Sequence, residues 1–405
     1  MPSPDKKLEI AVVGAGFAGL ASAALLAHSG HRVTVYEKFA HPQSLGAGIL
    51  LQPSGLAALR ALGIHDEVVA QGAQVEHLYG VTPRQRPVVD MHYRQWQAGA
   101  YGLGLHRGVL FNALWDLAAR NGVGMVTGQE VRDLAALQSA HDLTVIADGA
   151  RSGLRAQTGL RVRERLYPWG AMWAVLDDPQ RGYGSTLWQW YRGGHQMLGI
   201  MPTGRAPGRA TPVVSLFWSL HADRHMAWRE AGLSAFKQEL LALSPGCVEL
   251  LAQVHSLEQL TWARYYDVVM PRYHTSRAVV VGDAAHATSP QLGQGANLAL
   301  LDALVLNHCL RTHARLPEAL AAYTARRRPH LHYYGQASRW LTPLFQSDLR
   351  LLPWLRDQFM GASARWPVAG ALSRETLVGM RQSWWRLGSG AQLDLRAFFE
   401  EVEDI

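Results

Sequence analysis

The chain has 405 residues, 48% hydrophobic and 18% charged. That composition excludes a disordered segment, and the length suits two intimately packed domains rather than one small core. The formal charge of +7 is carried almost wholly by arginine, since lysine occurs only at 6, 7, 38 and 237; no basic run exceeds Arg326-Arg327-Arg328, so no nucleic-acid partner is expected.

Two cysteines, Cys247 and Cys309, offer neither a metal spacing nor a disulfide framework, which fits a reducing cytosol; no metal site is expected. Lys6-Lys7 precede an apolar stretch, as in a signal peptide. Glycines inside that stretch and its polar end, His28-Ser29-Gly30-His31-Arg32, argue against one. No uninterrupted apolar run reaches the roughly 18 residues of a membrane span.

In chain order, residues 8–13 predict a buried strand, 17–27 a small-residue helix and 32–36 a second strand, a βαβ opening. The first turn reads Gly14-Ala15-Gly16-Phe17-Ala18-Gly19. In such a turn the first glycine permits the tight bend. The second lets the backbone approach a pyrophosphate, and the third lets the helix pack on the strand. Glu37 ends the second strand roughly 20 residues on, where an acid favours ribose hydroxyls over a 2′-phosphate. Taken alone, the motif does not separate NAD from FAD.

Residues 54–62 predict a short helix, 75–81 and 88–93 strands, and 107–120 a helix with Leu110, Leu114 and Leu117 on one face. Residues 143–147 predict another buried strand, ending at Asp148-Gly149-Ala150-Arg151-Ser152-Gly153-Leu154-Arg155. A carboxylate and an arginine beside a glycine turn can organise a pyrophosphate or a nearby loop; taken alone, the motif is better read as a plain turn with a helix N-cap.

From about residue 167 to 220 the texture changes to alternating, tryptophan-rich segments at 171–176, 186–191, 196–201 and 213–220. They predict an antiparallel sheet inserted between nucleotide-binding segments. A helix is expected at 234–243. Residues 279–281 then predict a buried strand, followed by Gly282-Asp283 and a second glycine turn, Gly293-Gln294-Gly295, that opens a long helix. The carboxylate at the strand end can accept from ribityl or ribose hydroxyls. Residues 293–297 can present free N–H groups and a positive helix end to an electron-rich ring, and Pro290 stiffens the turn beside it. From residue 317 onward the chain reads as mainly helical.

These three motifs, in this order, resemble the group A flavoprotein monooxygenases, the FAD-dependent aromatic hydroxylases typified by para-hydroxybenzoate hydroxylase. The resemblance extends to Ser44-Leu45-Gly46-Ala47-Gly48-Ile49, similar to a flavin-contacting loop, to His106-Arg107, where the family's arginine meets the cofactor, and to residues 164–170, similar to the start of the substrate sheet. It implies one FAD, with NAD(P)H as a transient electron donor that has no Rossmann domain of its own. It also implies O₂ reacting through a flavin C4a-hydroperoxide, while the protein orients, excludes water and supports the ring electrostatically.

The expected fold is therefore α/β, with a Rossmann-like FAD-binding domain (1–165 and 262–325), an inserted antiparallel β-sheet substrate domain (166–261) and C-terminal helices (326–405). The expected FAD contacts are Gly14, Gly16, Ala18, Gly19, Glu37, Lys38, Ala47, Gly48, Arg107, Asp148, Asp283, Pro290, Gly293, Gly295, Ala296 and Asn297. The expected function is oxygenation of a small aromatic, apolar or polycyclic molecule by a cytoplasmic monomer or homodimer. A flavin-dependent dehydrogenase or reductase and a non-catalytic FAD-binding accessory protein are the alternatives; a plain NAD dehydrogenase is a third.

Two departures from the family bear on this. Residues 126–141 are short where the family has a longer β-meander. Where para-hydroxybenzoate hydroxylase supplies serine and arginine for a carboxylate, this chain reads Gly199-Ile200-Met201-Pro202. Tyr191 is the candidate catalytic residue, able to polarise a phenol, and the Pro290 backbone a second; by strand alternation only one of Trp190 and Tyr191 faces the pocket. His286 is read as a capped structural histidine in preference to a base, and His195 as an exposed loop histidine. Tryptophans 173, 188, 190 and 218 are candidates to stack on an aromatic substrate. The apolar C-terminal helices predict a helical cap or a dimer contact in preference to a membrane surface.

Overall fold

The computed structural model describes residues 7–42, 48–364 and 366–385. Ala47, expected at the cofactor, lies outside the described residues with the rest of 43–47.

Five parallel strands form the nucleotide sheet in the order Ala278–Val280, Leu143–Ile146, Glu9–Val13, Arg32–Glu37, Gly124–Thr127. Strands covered on both faces require continuous apolar runs, and Ile10, Ala11, Val12, Val145 and Val279 are fully buried. The helix Phe17–His28 is buried from Ala18 through Leu26. It is not amphipathic because it is wedged between this sheet and the helices Arg107–Arg120 and Gly295–Thr312. Its alanines and Gly19 permit that close approach. In the short segment after the fifth strand, Asp133 caps the helix Leu134–Ala140, its Oδ1 accepting from Ala135 N at 2.9 Å.

The second sheet has seven strands, in the order Thr261–Val269, Arg163–Asp177, Pro212–His221, Gln196–Arg205, Thr186–Arg192, His77–Val81, Pro87–His92. This corrects the expected division of the chain. Residues 77–92, assigned above to the FAD-binding segment, complete the substrate sheet: His77–Val81 runs parallel to Thr186–Arg192 and covers its otherwise open edge. The boundary at 325/326 also falls inside one helix, Leu316–Phe345. A small antiparallel sheet, Gly48–Leu51, Gly102–His106 and Ala73–Val75, lies between the two large ones.

Strand alternation gives the seven-stranded sheet two different faces. On the outer face Met172, Leu198, Ile200, Leu216 and Trp218 pack against Trp228, Phe236 and Leu240 of the helix His225–Leu241. The inner face carries Ala171, Trp173, Tyr191, Met197 and Phe217, which meet Phe345 and Leu344 of the long helix. Of the four sheet tryptophans, only Trp173 therefore faces inward. Trp190 and Trp218 belong to the outer cluster, and Trp188 stacks on Trp190 at 6.1 Å between ring centroids.

No described helix is long and apolar enough to cross a membrane. Trp340, Trp354, Phe359 and Trp366 on the C-terminal segments are exposed.

Candidate flavin site

The three glycine turns converge at the ends of the parallel strands. Gly14 sits at φ +103°, and a Cβ there would collide with the Ala147 carbonyl; a Cβ on Gly19 would collide with the Gly14 carbonyl. Gly16 differs, because a Cβ there would meet nothing within 4 Å. Two glycines thus close the strand–helix corner and the third leaves open space at the helix start, the division of roles that a pyrophosphate cradle needs. Gly149 and Gly153 of the second turn also face open space.

Glu37 is buried at the end of its strand. Its Oε2 accepts from Ala15 N at 2.8 Å and its Oε1 from Phe39 N at 3.0 Å, so it ties the fingerprint turn to the second strand and keeps further lone pairs free. Lys38 lies over the Phe39 ring, 5.0 Å from its centroid. Arg107, exposed at the start of its helix, stands 5.2 Å from the centroid of Phe17, which directly follows Gly16 within the fingerprint.

Asp148 accepts weakly from Leu154 N at 3.5 Å through Oδ2, while its Oδ1 is buried with no hydrogen-bond partner among the described residues. Burial raises its carboxyl above the usual range, against Ser152 and Arg155, which lower it. An orphaned buried acceptor at the mouth of an open glycine turn is what a donor on a bound ligand would satisfy. Arg155, in the same motif, is only 1% exposed and organises a loop. Its Nη1 donates to the Ala284 carbonyl at 2.6 Å and its Nη2 to the Ala150 carbonyl at 3.1 Å and to Glu164, so it fastens the second turn to the third.

In the third turn Gly282 sits at φ +60° and leaves no room for a Cβ against Ala18, whose own side chain is thereby buried. Asp283 follows, exposed, its Oδ1 4.0 Å from where a Gly295 Cβ would stand. Pro290 opens a single 3-10 turn, Pro290–Leu292; Gly293 takes φ +61°, and the long helix begins at Gly295 with Gly295 exposed and Ala296 half-buried. The helix start is pinned by three hydrogen bonds to two C-terminal helices, Leu316–Phe345 and Pro367–Leu377. Ser289 Oγ bonds Ser338 Oγ at 2.8 Å and Thr342 Oγ1 at 2.7 Å, and Gln294 Nε2 donates to the Leu377 carbonyl at 2.8 Å.

The Asn297 side chain is fully buried, with Oδ1 accepting from Gln52 N at 2.8 Å and Nδ2 donating to the Gly293 carbonyl at 3.0 Å and the Leu50 carbonyl at 3.3 Å. It locks the strand Gly48–Leu51 to the helix start, so any contact of Asn297 with a ligand falls to its backbone N–H. Gly48 itself is clamped from the inner sheet face: its N–H donates to Ser215 Oγ at 2.7 Å, and Ser215 is held by Thr203 Oγ1 at 2.9 Å.

Tyr191 does face inward, but it is 1% exposed and packed between Phe345 and the Arg356 guanidinium, 4.9 Å from its ring centroid. Burial pushes its hydroxyl far above the ordinary value, with Arg356 opposing. A second inward tyrosine had no sequence signal: Tyr265, whose hydroxyl accepts from Trp173 Nε1 at 2.9 Å. Burial pushes it up to about 12, against the Trp173 bond and Arg107.

Behind the third turn lies a buried charged network that the sequence reading missed. Asp302 Oδ2 accepts from Gly282 N at 2.8 Å and from His286 Nε2 at 2.6 Å, and Oδ1 accepts from Arg327 Nε at 2.7 Å; Asp302 and Arg327 are both fully buried. His286 is thus a structural partner of the turn. Burial alone would raise the Asp302 carboxyl, but His286 and Arg327 outweigh it and hold it far below the usual carboxylate range. Arg327 Nη1 donates to His330 Nδ1 at 2.7 Å, so the remaining proton of that ring sits on Nε2 and is donated to the Gly379 carbonyl at 2.9 Å.

Burial, then Arg327, depress His330 well below its ordinary 6.5. The folded ring stays neutral while the unfolded one protonates, so the unfolded chain binds more protons below about pH 6.5 and stability falls there, by about 1.4 kcal/mol per pH unit per such group. We expect thermal melting to drop from pH 6.5 to 5 and the drop to shrink by one proton's worth in His330→Gln; an unchanged slope in that variant rejects the neutral assignment. Asp302 acts in a separate window, its contribution lost only as pH falls below the ordinary carboxylate range.

A Rossmann-like sheet with three open-mouthed glycine turns, roofed by a second sheet, defines an FAD-binding oxidoreductase of the aromatic-hydroxylase type. The chain belongs to the FAD binding domain family, whose profile matches residues 7–336, and within it to the FAD-dependent aromatic monooxygenases. It is 27% identical to aurachin C monooxygenase/isomerase of Stigmatella aurantiaca, over 87% of this chain and 94% of that protein. It is 30% identical to kynurenine 3-monooxygenase of Xanthomonas axonopodis pv. citri (strain 306), over 80% and 77%. The fold is shared with the tetrameric form of 2-methyl-3-hydroxypyridine-5-carboxylic acid oxygenase, at TM-score 0.73 and 22% identity over 88% of this chain and 98% of that one. It is shared as well with a variant of Klebsiella pneumoniae HpxO complexed with FAD, at TM-score 0.75 and 19% identity over 92% and 99%.

Proposed function

We propose that the chain takes electrons from NAD(P)H and places one oxygen atom of O₂ on a small, neutral, apolar or polycyclic aromatic substrate. The observation that carries the substrate class is the inner face of the large sheet. There Trp173, Phe217 and Met201 stand beside Gly199. The serines of that face are engaged by backbone, Ser215 by Gly48 N and Ser219 by Met197 N at 2.9 Å. The inward stretch Trp173, Tyr191, Met197, Gly199, Met201 and Phe217 carries no cation, and Arg356 beside Tyr191 is already engaged by Asp357 and the Leu344 carbonyl, so the desolvation of a substrate carboxylate there would go uncompensated.

Bound FAD supplies the redox chemistry with NAD(P)H and O₂. This chain's residues hold and orient it. Gly14, Gly16, Gly19 and Glu37 take the ADP half, Arg107 and Asp148 the pyrophosphate side, Asp283 the ribityl hydroxyls. The N–H groups of the first helical turn, Gly295 through Asn297, with the Pro290 backbone, support negative charge at the ring. Tyr265, aimed inward by its bond to Trp173, replaces Tyr191 as the phenol closest in kind to a substrate-orienting group. Two buried free thiols, Cys247 and Cys309, suit a reducing cytosol.

The test is stopped-flow flavin reduction by NADH and NADPH across a panel of neutral fused-ring aromatics and matched benzoates, with ¹⁸O₂ tracing into product. Neutral fused-ring compounds should accelerate reduction and gain one labelled oxygen. FAD that is reduced and reoxidised with no labelled product for any compound would establish a reductase instead. Acceleration confined to benzoates would overturn the substrate class.

A further inference from the structure

At the outer rim of the large sheet, far from the glycine turns in sequence, three side chains with metal-binding chemistry meet. His77 and His92 are directly opposed across the antiparallel pair His77–Val81 and Pro87–His92, and Asp90 is two residues before His92 on the same face. The two imidazoles stack with centroids 3.8 Å apart and planes 10° from parallel. Both aim Nε2 at one carboxylate oxygen, Asp90 Oδ1, at 2.8 Å from His77 and 3.9 Å from His92. One ligand atom from each residue lies within 4.8 Å of the other two.

We propose that His77, Asp90 and His92 form a site for a divalent transition-metal ion, Zn²⁺ in the first instance, that clasps this edge hairpin. Two imidazole nitrogens and one carboxylate oxygen are a borderline-soft donor set suited to Zn²⁺, and bonds of about 2.0–2.2 Å in a tetrahedron put ligand atoms roughly 3.3 Å apart. The present separations bracket that spacing, so small side-chain rotations complete the triad. Water supplies the fourth position, since Asp90 is half exposed and the imidazoles are 21% and 30% exposed. The backbone is already in place, because hydrogen-bonded strand register sets the His77–His92 opposition. The hairpin also supports the C-terminal region, with Arg86 Nη1 donating to Gln358 Oε1 at 2.6 Å, so the clasp would stiffen that contact too.

The experiment is calorimetric titration of Zn²⁺ into the purified holoprotein, stripped of metal, alongside His77→Gln, Asp90→Asn and His92→Gln. The expected result is one tight equivalent, weakened at least tenfold by either histidine substitution and less by Asp90→Asn, with a Zn²⁺-induced rise in melting temperature that chelator reverses and His92→Gln lacks. The variants' flavin content and melting without metal confirm their folding. Absence of a stoichiometric equivalent, or one untouched by both histidine substitutions, overturns the proposal.

Discussion

Gly16→Val is expected to yield a folded, colourless protein. A Cβ at Gly16 would meet nothing within 4 Å, and Gly16 has φ −77° and ψ −179°, an extended conformation any residue adopts. The melting temperature of the apoprotein should therefore stay within a few degrees of wild type. The same open space is where a pyrophosphate must reach the backbone N–H groups at the helix start. Losing two charge-assisted hydrogen bonds at about 1.5–3 kcal/mol each weakens FAD binding by roughly two to four orders of magnitude. Gly19→Val is the contrast: its Cβ meets the Gly14 carbonyl and, at 3.3 Å, the Ala147 Cβ, so the helix cannot seat and the fold itself should fail. FAD titration by fluorescence with a parallel thermal melt separates the two. Wild-type FAD affinity in folded Gly16→Val would remove the fingerprint turn from the cofactor site.

The second large effect is on stability. Asp302→Ala removes the acceptor for Gly282 N, His286 Nε2 and Arg327 Nε in one step and leaves the fully buried Arg327 guanidinium without its counter-charge. Removing one partner of a buried ion pair costs about 3–5 kcal/mol. Much of that is the uncompensated charge, so Asp302→Leu combined with Arg327→Met should recover part of the loss. Because Gly282 directly precedes Asp283, FAD retention should fall with stability in both variants, but the double variant should refold further. Urea unfolding followed by tryptophan fluorescence measures this. A loss below about 1 kcal/mol in Asp302→Ala would mean that the network does not hold the turn.

Much of the nucleotide half was legible because its signals are local. A buried parallel strand must be apolar throughout, and a corner between strand and helix must bend at glycine. Residues 8–37, 143–155 and 279–295 announce both within a few positions. Alternation likewise predicted that Trp190 and Tyr191 point to opposite faces. Which one points inward depended on the register of Thr186–Arg192 against Gln196–Arg205, a pairing that no local pattern encodes.

The sequence by itself determined the class of fold, the strand-turn-helix corners and the family. Composition, period and glycine placement act over a few residues, and those features need nothing more. Only the tertiary structure decided the rest. It recruited residues 77–92 to the substrate sheet, turned the Asn297 side chain into an internal lock, and buried Tyr191 against Arg356. It also joined Asp302 to Arg327 across 25 residues and to His286 across 16. Each of these is a contact between distant segments. Its strength comes from burial and from a partner at hydrogen-bond distance, and both exist only once the chain has closed on itself.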